Sequence, residues 1–158
     1  MNKIFIKTFI PFLIFILTSC TYKPIFSEKN YNFEIKEIVL IGEKDVGKII
    51  DNKLGLIKST GDPNKKKYIL IIDSEKKRNI ISKDSKGDPL KFEMLIKVEY
   101  KLMHENKLLI LKEIEKNNIY NNDSDQFKLE QSEKIILQNI SGNISDIIIS
   151  SIINLNDN

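Results

Sequence analysis

The residue with the clearest chemical role in this sequence is its one cysteine. Cys20 follows Leu17, Thr18 and Ser19, and no other cysteine occurs in the 158 residues. A thiolate is a strong nucleophile that can accept an acyl chain. Small residues before it let a peptidase bind the backbone in an extended form. Leu-Thr-Ser-Cys is the pattern of a bacterial lipobox, which predicts cleavage before Cys20 and acylation of its thiol.

The residues before this motif are typical of a secretory signal peptide. Lys3 and Lys7 give a positively charged start, and an uninterrupted apolar run follows from Thr8 to Leu17. This run is far shorter than the roughly 20 residues that cross a bilayer. The alternative interpretation, a buried apolar element with an incidental cysteine, does not account for the terminal position and the two lysines.

These features predict three segments. Residues 1–19 are interpreted as a lipoprotein signal peptide, residues 20–32 as an extended lipidated leader and residues 33–158 as a single domain. A lipid anchor at Cys20 would attach the domain to a membrane. Thr21 follows the cysteine, where an aspartate would suggest inner-membrane retention. By resemblance to characterised lipoproteins, this favours the periplasmic face of the outer membrane.

Composition limits the classes of protein that this chain can belong to. The 139 residues after the signal peptide suffice for one domain with a hydrophobic core. Loss of two lysines lowers the formal net charge from +3 to +1, so we expect no nucleic-acid partner. Without a second cysteine there is no internal disulfide. The chain has 30 Ile, 24 Lys, one Arg and no Ala, which indicates AT-rich codons and weakens any inference from a single lysine.

The sequence offers no group of residues that predicts catalysis. His104 is the only histidine, lies beside a predicted hairpin turn and has no second soft ligand for a metal, so we interpret it as a solvated side chain. Motifs for a nucleophilic serine, a phosphate-binding loop or a zinc protease are absent. We therefore expect no enzyme activity, no cofactor and no metal, which counts against a periplasmic lipid- or peptide-processing enzyme.

Two basic clusters are the candidate binding residues. The region from Asp62 to Lys91 carries a net charge of +4, whereas the region from Glu99 to Glu133 carries −3. The clusters flank an apolar run that begins at Tyr68, and cations beside apolar residues suit a phosphorylated glycolipid. The alternative interpretation is solvated lysine-rich loops. The candidate lipopolysaccharide-binding residues are Lys65, Lys66, Lys67, Lys76, Lys77 and Arg78.

Hydrophobic periodicity predicts the elements that position these clusters. Phe33 to Ile41 is interpreted as a strand. A helix of about four turns follows from Asp45, with an apolar stripe that ends at Ile57. Tyr68 to Ile81 is interpreted as one long strand, long enough to contain a bulge, whose first half is buried on both sides.

The second half of the chain predicts a hairpin and a long helix. From Leu90 to Leu102, apolar residues alternate with charged ones, which indicates a strand with one dry and one wet face. A turn at Glu105-Asn106 leads to a last strand, Leu108 to Tyr120. Asp123 and Gln126 fit a capping box that starts a helix ending near Leu155. The predicted apolar stripe of this helix is Phe127, Ile136, Ile140, Ile144, Ile147, Ile148 and Ile152.

The predicted fold class is α+β, with the element order β-α-β-β-β-α. Two helices would pack on one face of a four-stranded sheet as a two-layer sandwich. The other face of the sheet is expected to be polar.

The start of the mature chain and this order of elements resemble the LPS-assembly lipoprotein family (LptE). Members often begin Cys-Gly-Phe-x-Pro-Leu-Tyr, and Cys20, Tyr22, Pro24, Ile25 and Phe26 stand in matching places, with Thr21 in place of the usual glycine. The stretch from Gln126 through Asp146 also looks like the family's last helix, although alanines are usual there.

The resemblance implies partners and a function. The partner would be LptD, an outer-membrane β-barrel that the lipoprotein fills as a plug and whose assembly it supports. The ligand would be lipopolysaccharide on its way to the outer leaflet. The alternative is a structural or scaffold lipoprotein of the envelope that has another partner and no role in lipopolysaccharide transport.

Overall fold

The computed structural model describes residues 31–58 and 61–156, with the side chain of Leu56 left out. The predicted signal peptide, the lipidation site Cys20 and most of the leader lie outside the described residues. The elements are β1 (Phe33–Gly42), α1 (Lys44–Leu54), a 3-10 turn (Gly55–Ile57), β2 (Lys66–Lys83), β3 (Pro89–His104), β4 (Lys107–Asn121) and α2 (Gln126–Asn156). The predicted α+β class and element order are confirmed.

The four strands form one mixed sheet in the order β1-β2-β3-β4. β1 and β2 are parallel because α1 carries the chain back across the sheet, and the remaining pairs are antiparallel. Ile35 of β1 lies opposite Tyr68 of β2, and Leu102 of β3 lies between Leu70 of β2 and Ile110 of β4. These side chains lie on the face that the two helices cover.

The core lies between this face and the helices. Every second residue of β3 from Phe92 to Leu102 is buried, as the alternation predicts. Helix α1 contributes Val46, Ile50 and Leu54. The expectation for Leu90 is wrong, because this residue is 51% exposed and lies where the register between β2 and β3 is irregular.

Helix α2 packs along the sheet but begins differently from the prediction. Asp125 caps it, because its carboxylate accepts hydrogen bonds from the backbone N–H groups of Phe127 (3.1 Å) and Lys128 (3.3 Å). Asp123 instead accepts from the N–H of Asp125. The predicted capping box is therefore wrong by two residues.

The buried face of α2 differs from the predicted stripe, because it includes Leu129 and Ile149 and leaves two of the predicted residues exposed. Ile144, Ile148 and Ile152 are fully buried, whereas Phe127 and Ile147 are 69% and 38% exposed. Phe127 lies in the first turn, on the exposed start of the helix, and Ile147 lies on the flank of the buried stripe. In length and composition, α2 resembles a membrane-spanning helix. Its most apolar side chains pack in the core, so its composition is that of a core helix.

The hairpin between β3 and β4 turns at the predicted residues. Glu105 and Asn106 have φ angles of 46° and 65°. Positive φ at both central residues is the geometry of a type I′ turn, whose twist matches that of the strands. The turn places Met103 opposite Leu108, and a bulge at Leu109 then places Ile110 opposite Leu102.

The face of the sheet that the helices leave uncovered, here called the open face, is only partly polar. Its middle carries the ion pairs Lys97–Glu113 (2.8 Å) and Lys101–Glu99 (3.0 Å), as expected. Toward the start of β2 the open face becomes apolar, which corrects the prediction of a wholly polar face. This apolar end of the open face consists of Val39, Ile41, Ile69, Ile71, Met103, Leu108 and Leu111.

The first half of β2 is buried differently from the prediction, which expected burial on both sides. Leu70 and Ile72 are fully buried on the helix side, whereas Ile69 and Ile71, on the open face, are half-buried. The run from Tyr68 to Ile72 is therefore continuous in apolar character, but it is buried completely on one side only.

Candidate functional site

The six candidate residues do not form one site. Lys66 and Lys67 begin β2, and Lys65 directly precedes them, whereas Lys76, Lys77 and Arg78 lie in its second half. Ten residues of strand separate corresponding members of the clusters, a distance of roughly 33 Å. One phosphorylated headgroup cannot contact both clusters, so the clusters are described separately.

The second cluster is itself divided between the two faces of the sheet. Lys76 and Arg78 share the helix-side face with Ile72 and Ser74, because side chains alternate along a strand. Lys77 points to the open face, where its Nζ lies 3.0 Å from Oε2 of Glu75. Only Lys76 and Arg78 of this cluster can therefore act together on the helix side.

Lys76 and Arg78 border a groove between the two helices and the sheet, here called the helix-side groove. Its volume is about 520 Å³. Ile49 of α1, Met94 of β3 and Leu137 of α2 give it an apolar lining. Its charged rim includes Lys48, Lys76, Arg78 and Lys134 with the acids Asp45 and Glu133, and Lys77 also contributes to its lining.

Arg78 is held in place by three neighbours. Its Nε lies 2.9 Å from Oε1 of Glu133 and donates to the Tyr120 hydroxyl at 3.2 Å. Its guanidinium carbon lies 3.7 Å from the ring centroid of Phe92, a cation–π contact. Arg78 is thus a fixed part of the wall.

Tyr120 links the sheet to α2 within the same network. Its hydroxyl donates a hydrogen bond of 2.6 Å to Oε1 of Glu133. Burial and this hydrogen bond raise the pKa of Tyr120, and Arg78 lowers it by less. Tyr120 therefore stays protonated and able to donate well above neutral pH.

The other cations of the rim are less constrained than Arg78. Lys76 lies 3.4 Å from Glu43. Lys48 and Lys134 form no ion pair within the part of the chain that the structure describes. Two exposed ammonium groups thus flank an apolar groove, an arrangement that suits an amphiphile with an anionic headgroup.

The first cluster lies at the opposite end of β2. Nδ1 of His104 lies 2.9 Å from the carbonyl oxygen of Lys67, and its ring contacts Tyr68 edge-on at 5.4 Å. His104 is therefore half-buried and joins the hairpin to β2, which corrects its interpretation as a purely solvated side chain. Lys65, Lys66 and Lys67 surround this contact but share no cavity with the helix-side groove.

Sequence reasoning missed Lys48 and Lys134 as partners of Lys76 and Arg78. The two lysines lie on the polar sides of separate helices, and only the packing of α1 against α2 brings them to the same groove. No motif spacing could have indicated this. Within residues 31–58 and 61–156, no group of three or more His, Cys, Asp or Glu residues could hold a metal ion.

No protein-family model matches the sequence, and no curated protein matches it. Rare lipoprotein B from Shewanella oneidensis is similar in structure, with a TM-score of 0.54 and 17% identity over 74% of this chain and 93% of that chain. Lipoprotein B from Nitrosomonas europaea has a TM-score of 0.54 and 20% identity over 72% and 80% of the two chains.

A minor lipoprotein from Acinetobacter baumannii extends this comparison. Its TM-score is 0.55 at 11% identity, over 75% of this chain and 92% of that chain. The likeness covers most of each of the three structures, so it includes the sheet and both helices rather than a shared fragment. The chain therefore has a fold that is also found in bacterial lipoproteins.

Proposed function

We propose that this chain is an outer-membrane lipoprotein of the LptE type, anchored through Cys20 and active in lipopolysaccharide assembly. The proposal depends on one observation: two independent features occur together in the same chain. The sequence has a lipobox at its start, and the domain after it has a fold found in rare lipoprotein B. Neither feature requires the other.

The proposed partner is an LptD-like β-barrel of the outer membrane. In this proposal the two-layer domain fills the barrel as a plug and supports its assembly. Within the described residues, no group of three or more His, Cys, Asp or Glu side chains could hold a metal ion. The cations of the helix-side groove lie along its edge, beside apolar side chains. A binding and assembly role agrees with this arrangement.

The proposed ligand is lipopolysaccharide, and the helix-side groove is its candidate contact. Lys48 and Lys134 provide exposed positive charge for phosphates, and Ile49, Met94 and Leu137 provide apolar surface for acyl chains. The charged and the apolar parts of the groove are thus adjacent, as are the headgroup and the acyl chains of an amphiphile.

The second candidate function is an envelope scaffold lipoprotein that has another partner. The apolar end of the open face favours some partner, since such residues in a two-layer domain otherwise meet water.

Purification of the lipid-anchored chain from membranes in mild detergent tests the proposal. A tagged wild-type chain should co-elute with a large β-barrel protein, and the Cys20→Ser variant should be recovered without it in the soluble fraction. A wild-type chain that elutes alone, or with an inner-membrane complex, would contradict the proposed partner and favour the scaffold function.

A further inference from the structure

The apolar end of the open face has no layer above it among the described residues. Leu108 and Leu111 are exposed and lie beside half-buried Met103 and Ile71. The solvated face of an antiparallel pair is ordinarily polar, and the middle of this face is. A cluster of apolar side chains at one end of a polar face marks a contact surface.

Four lysines border this apolar end. Lys65 directly precedes β2, and Lys67 shares the open face with Ile69. Lys66 and Lys107 lie at the ends of β2 and β4, on the helix side of the same edge. None of the four forms an ion pair within residues 31–58 and 61–156. Their charge is therefore available to an external anion.

The charge of the open face changes along the strands. The apolar end carries one acid, Glu37, opposite Ile69, and the lysines lie around it. Beyond the apolar end, the next row of side chains on the open face carries Asp73, Glu99 and Glu113, of which Glu99 and Glu113 are paired with Lys101 and Lys97. The lysine-bearing end therefore attracts an anionic surface more strongly than this row does.

The chain enters the domain at this same end. The N–H of Lys66 donates a hydrogen bond of 3.1 Å to the carbonyl oxygen of Asn32, just before β1 begins at Phe33. From Tyr31 back to Cys20 there are eleven residues, which span at most about 40 Å when fully extended. A lipid at Cys20 would hold the lysine-bearing end near a bilayer.

We propose that the apolar end of the open face, with Lys65, Lys66, Lys67 and Lys107, docks on an anionic phospholipid surface. The lysines would contact phosphate headgroups, and Leu108 and Leu111 would enter the boundary between headgroups and acyl chains. This gives Lys65, Lys66 and Lys67 a role separate from the helix-side groove. The lipid anchor of the proposed function only brings the surface near, so docking can be tested without it.

Vesicle binding of the mature chain with Cys20→Ser tests this proposal. The chain should bind vesicles that contain phosphatidylglycerol more tightly than vesicles of phosphatidylcholine alone. Binding should weaken as salt is raised, because salt screens exposed charges.

Two matched pairs of variants locate the surface. Lys65, Lys66 and Lys67 changed together to Gln should lower the partition coefficient on the order of a hundredfold, at about fivefold for each lysine. The control changes Lys83, Lys86 and Lys91 to Gln, which removes the same charge at the far end of β2 and β3 and should have a much smaller effect. Leu111→Ser should weaken binding, whereas Ile119→Ser, at a position on the same strand of similar exposure (53% and 55%), should not.

Each contrary result overturns the proposal. Equal binding to both kinds of vesicle would show that anionic headgroups are not recognised. Equal losses in the two lysine variants, or in Leu111→Ser and Ile119→Ser, would show that this end of the face is not the contact. If these variants instead abolish co-elution of the barrel and leave vesicle binding unchanged, the surface is a protein interface. Any of these failures leaves the co-elution test of the proposed function intact.

Discussion

At the scale of single residues, the chain uses its only arginine differently from its 24 lysines. Arg78 stacks on Phe92 and pairs with Glu133, contacts that need a planar guanidinium group. A lysine at this position could keep the charge but could not make both contacts with the same geometry. Lys48 and Lys134, by contrast, are exposed at the rim of the helix-side groove and form no ion pair among the described residues, whereas Lys76 is paired with Glu43.

The first prediction concerns these lysines. Changing Lys48, Lys76 and Lys134 together to Gln should weaken lipopolysaccharide binding on the order of tenfold or more at fixed low salt, since each removed cation costs about 1 kcal/mol near phosphates. Equilibrium binding to purified lipopolysaccharide measures this change. The variant with Gln at Lys83, Lys86 and Lys91 is the control, and equal losses in the two variants would remove the groove as the contact.

The second prediction concerns Tyr120. Tyr120→Phe removes the hydrogen bond to Glu133 and should lower the free energy of unfolding by about 1 kcal/mol at pH 7. The control is Tyr100→Phe, because the buried Tyr100 hydroxyl has no hydrogen-bond partner among the described residues. Chemical denaturation measures both variants, and an equal loss in the two would show that the Tyr120 network is not stabilising.

The raised pKa of Tyr120 predicts that the stability of the fold depends on pH. The folded protein holds the Tyr120 proton more tightly than the unfolded chain, because burial and the Glu133 hydrogen bond raise the pKa above 10.0. Its contribution is therefore complete below pH 10 and is lost as the pH rises through the folded pKa. Tyr120→Phe should lose less stability above pH 10 than the wild type does. Parallel curves for the two proteins would contradict the prediction.

At the scale of the elements, the turn from β1 into α1 depends on one glycine. Gly42 has a φ angle of 82°, and a Cβ there would clash with the carbonyl oxygen of Ser74. The Ser74 hydroxyl in turn lies within hydrogen-bond distance of the carbonyl oxygens of Ile41 and Glu43. The close approach of two backbones thus fixes where the strand ends and the helix begins.

The third prediction tests this turn. Gly42→Ala should lower the free energy of unfolding by about 2–4 kcal/mol, because it combines strain at positive φ with a backbone clash. Gly55→Ala is the matched control, since Gly55 has a helical φ of −51° and no atom within 4 Å of the added methyl group. The control should be neutral or more stable than the wild type by up to about 1 kcal/mol. Similar thermal stability of the two variants would refute this account of the turn.

The fourth prediction concerns the start of α2. Asp125→Ala should cost about 1 kcal/mol, because it removes the acceptor for two free N–H groups of the first turn. Asp123→Ala should cost less, since its carboxylate accepts only from the N–H of Asp125, outside the helix. Denaturant unfolding of the two variants measures the difference, and a larger loss for Asp123→Ala would restore the capping box that the sequence suggests.

At the scale of the whole molecule, local periodicity was sufficient to predict the layers of the fold. The alternation from Phe92 to Leu102 and the three- and four-residue spacing in α1 are local properties. The structure confirms the first, and it confirms the second as far as Leu54, where α1 ends and a 3-10 turn carries Ile57. The exposures of Phe127 and Ile147 could not be predicted, because they depend on how far each end of α2 overlaps the sheet. That overlap is a tertiary property.

The candidate sites were predictable in composition but not in arrangement. Basic residues flank an apolar run in the sequence, but strand geometry separates Lys66 from Lys76 and sends Lys77 to the opposite face from Arg78. The partners of Lys76 across the helix-side groove come from two helices that are far apart in sequence. The continuous apolar run from Tyr68 to Ile72 was the one local indication of a contact surface on the open face.

The proposed function, the co-elution test and the orientation of the docking surface all depend on a lipid at residue 20. Intact-mass and peptide mass spectrometry of the processed chain from the membrane fraction test this most directly. The account predicts a chain that begins at Cys20, carries a lipid on its thiol, and is lost from the membrane fraction in Cys20→Ser. A processed chain with an unmodified thiol at residue 20, or one that begins at another residue, would contradict it.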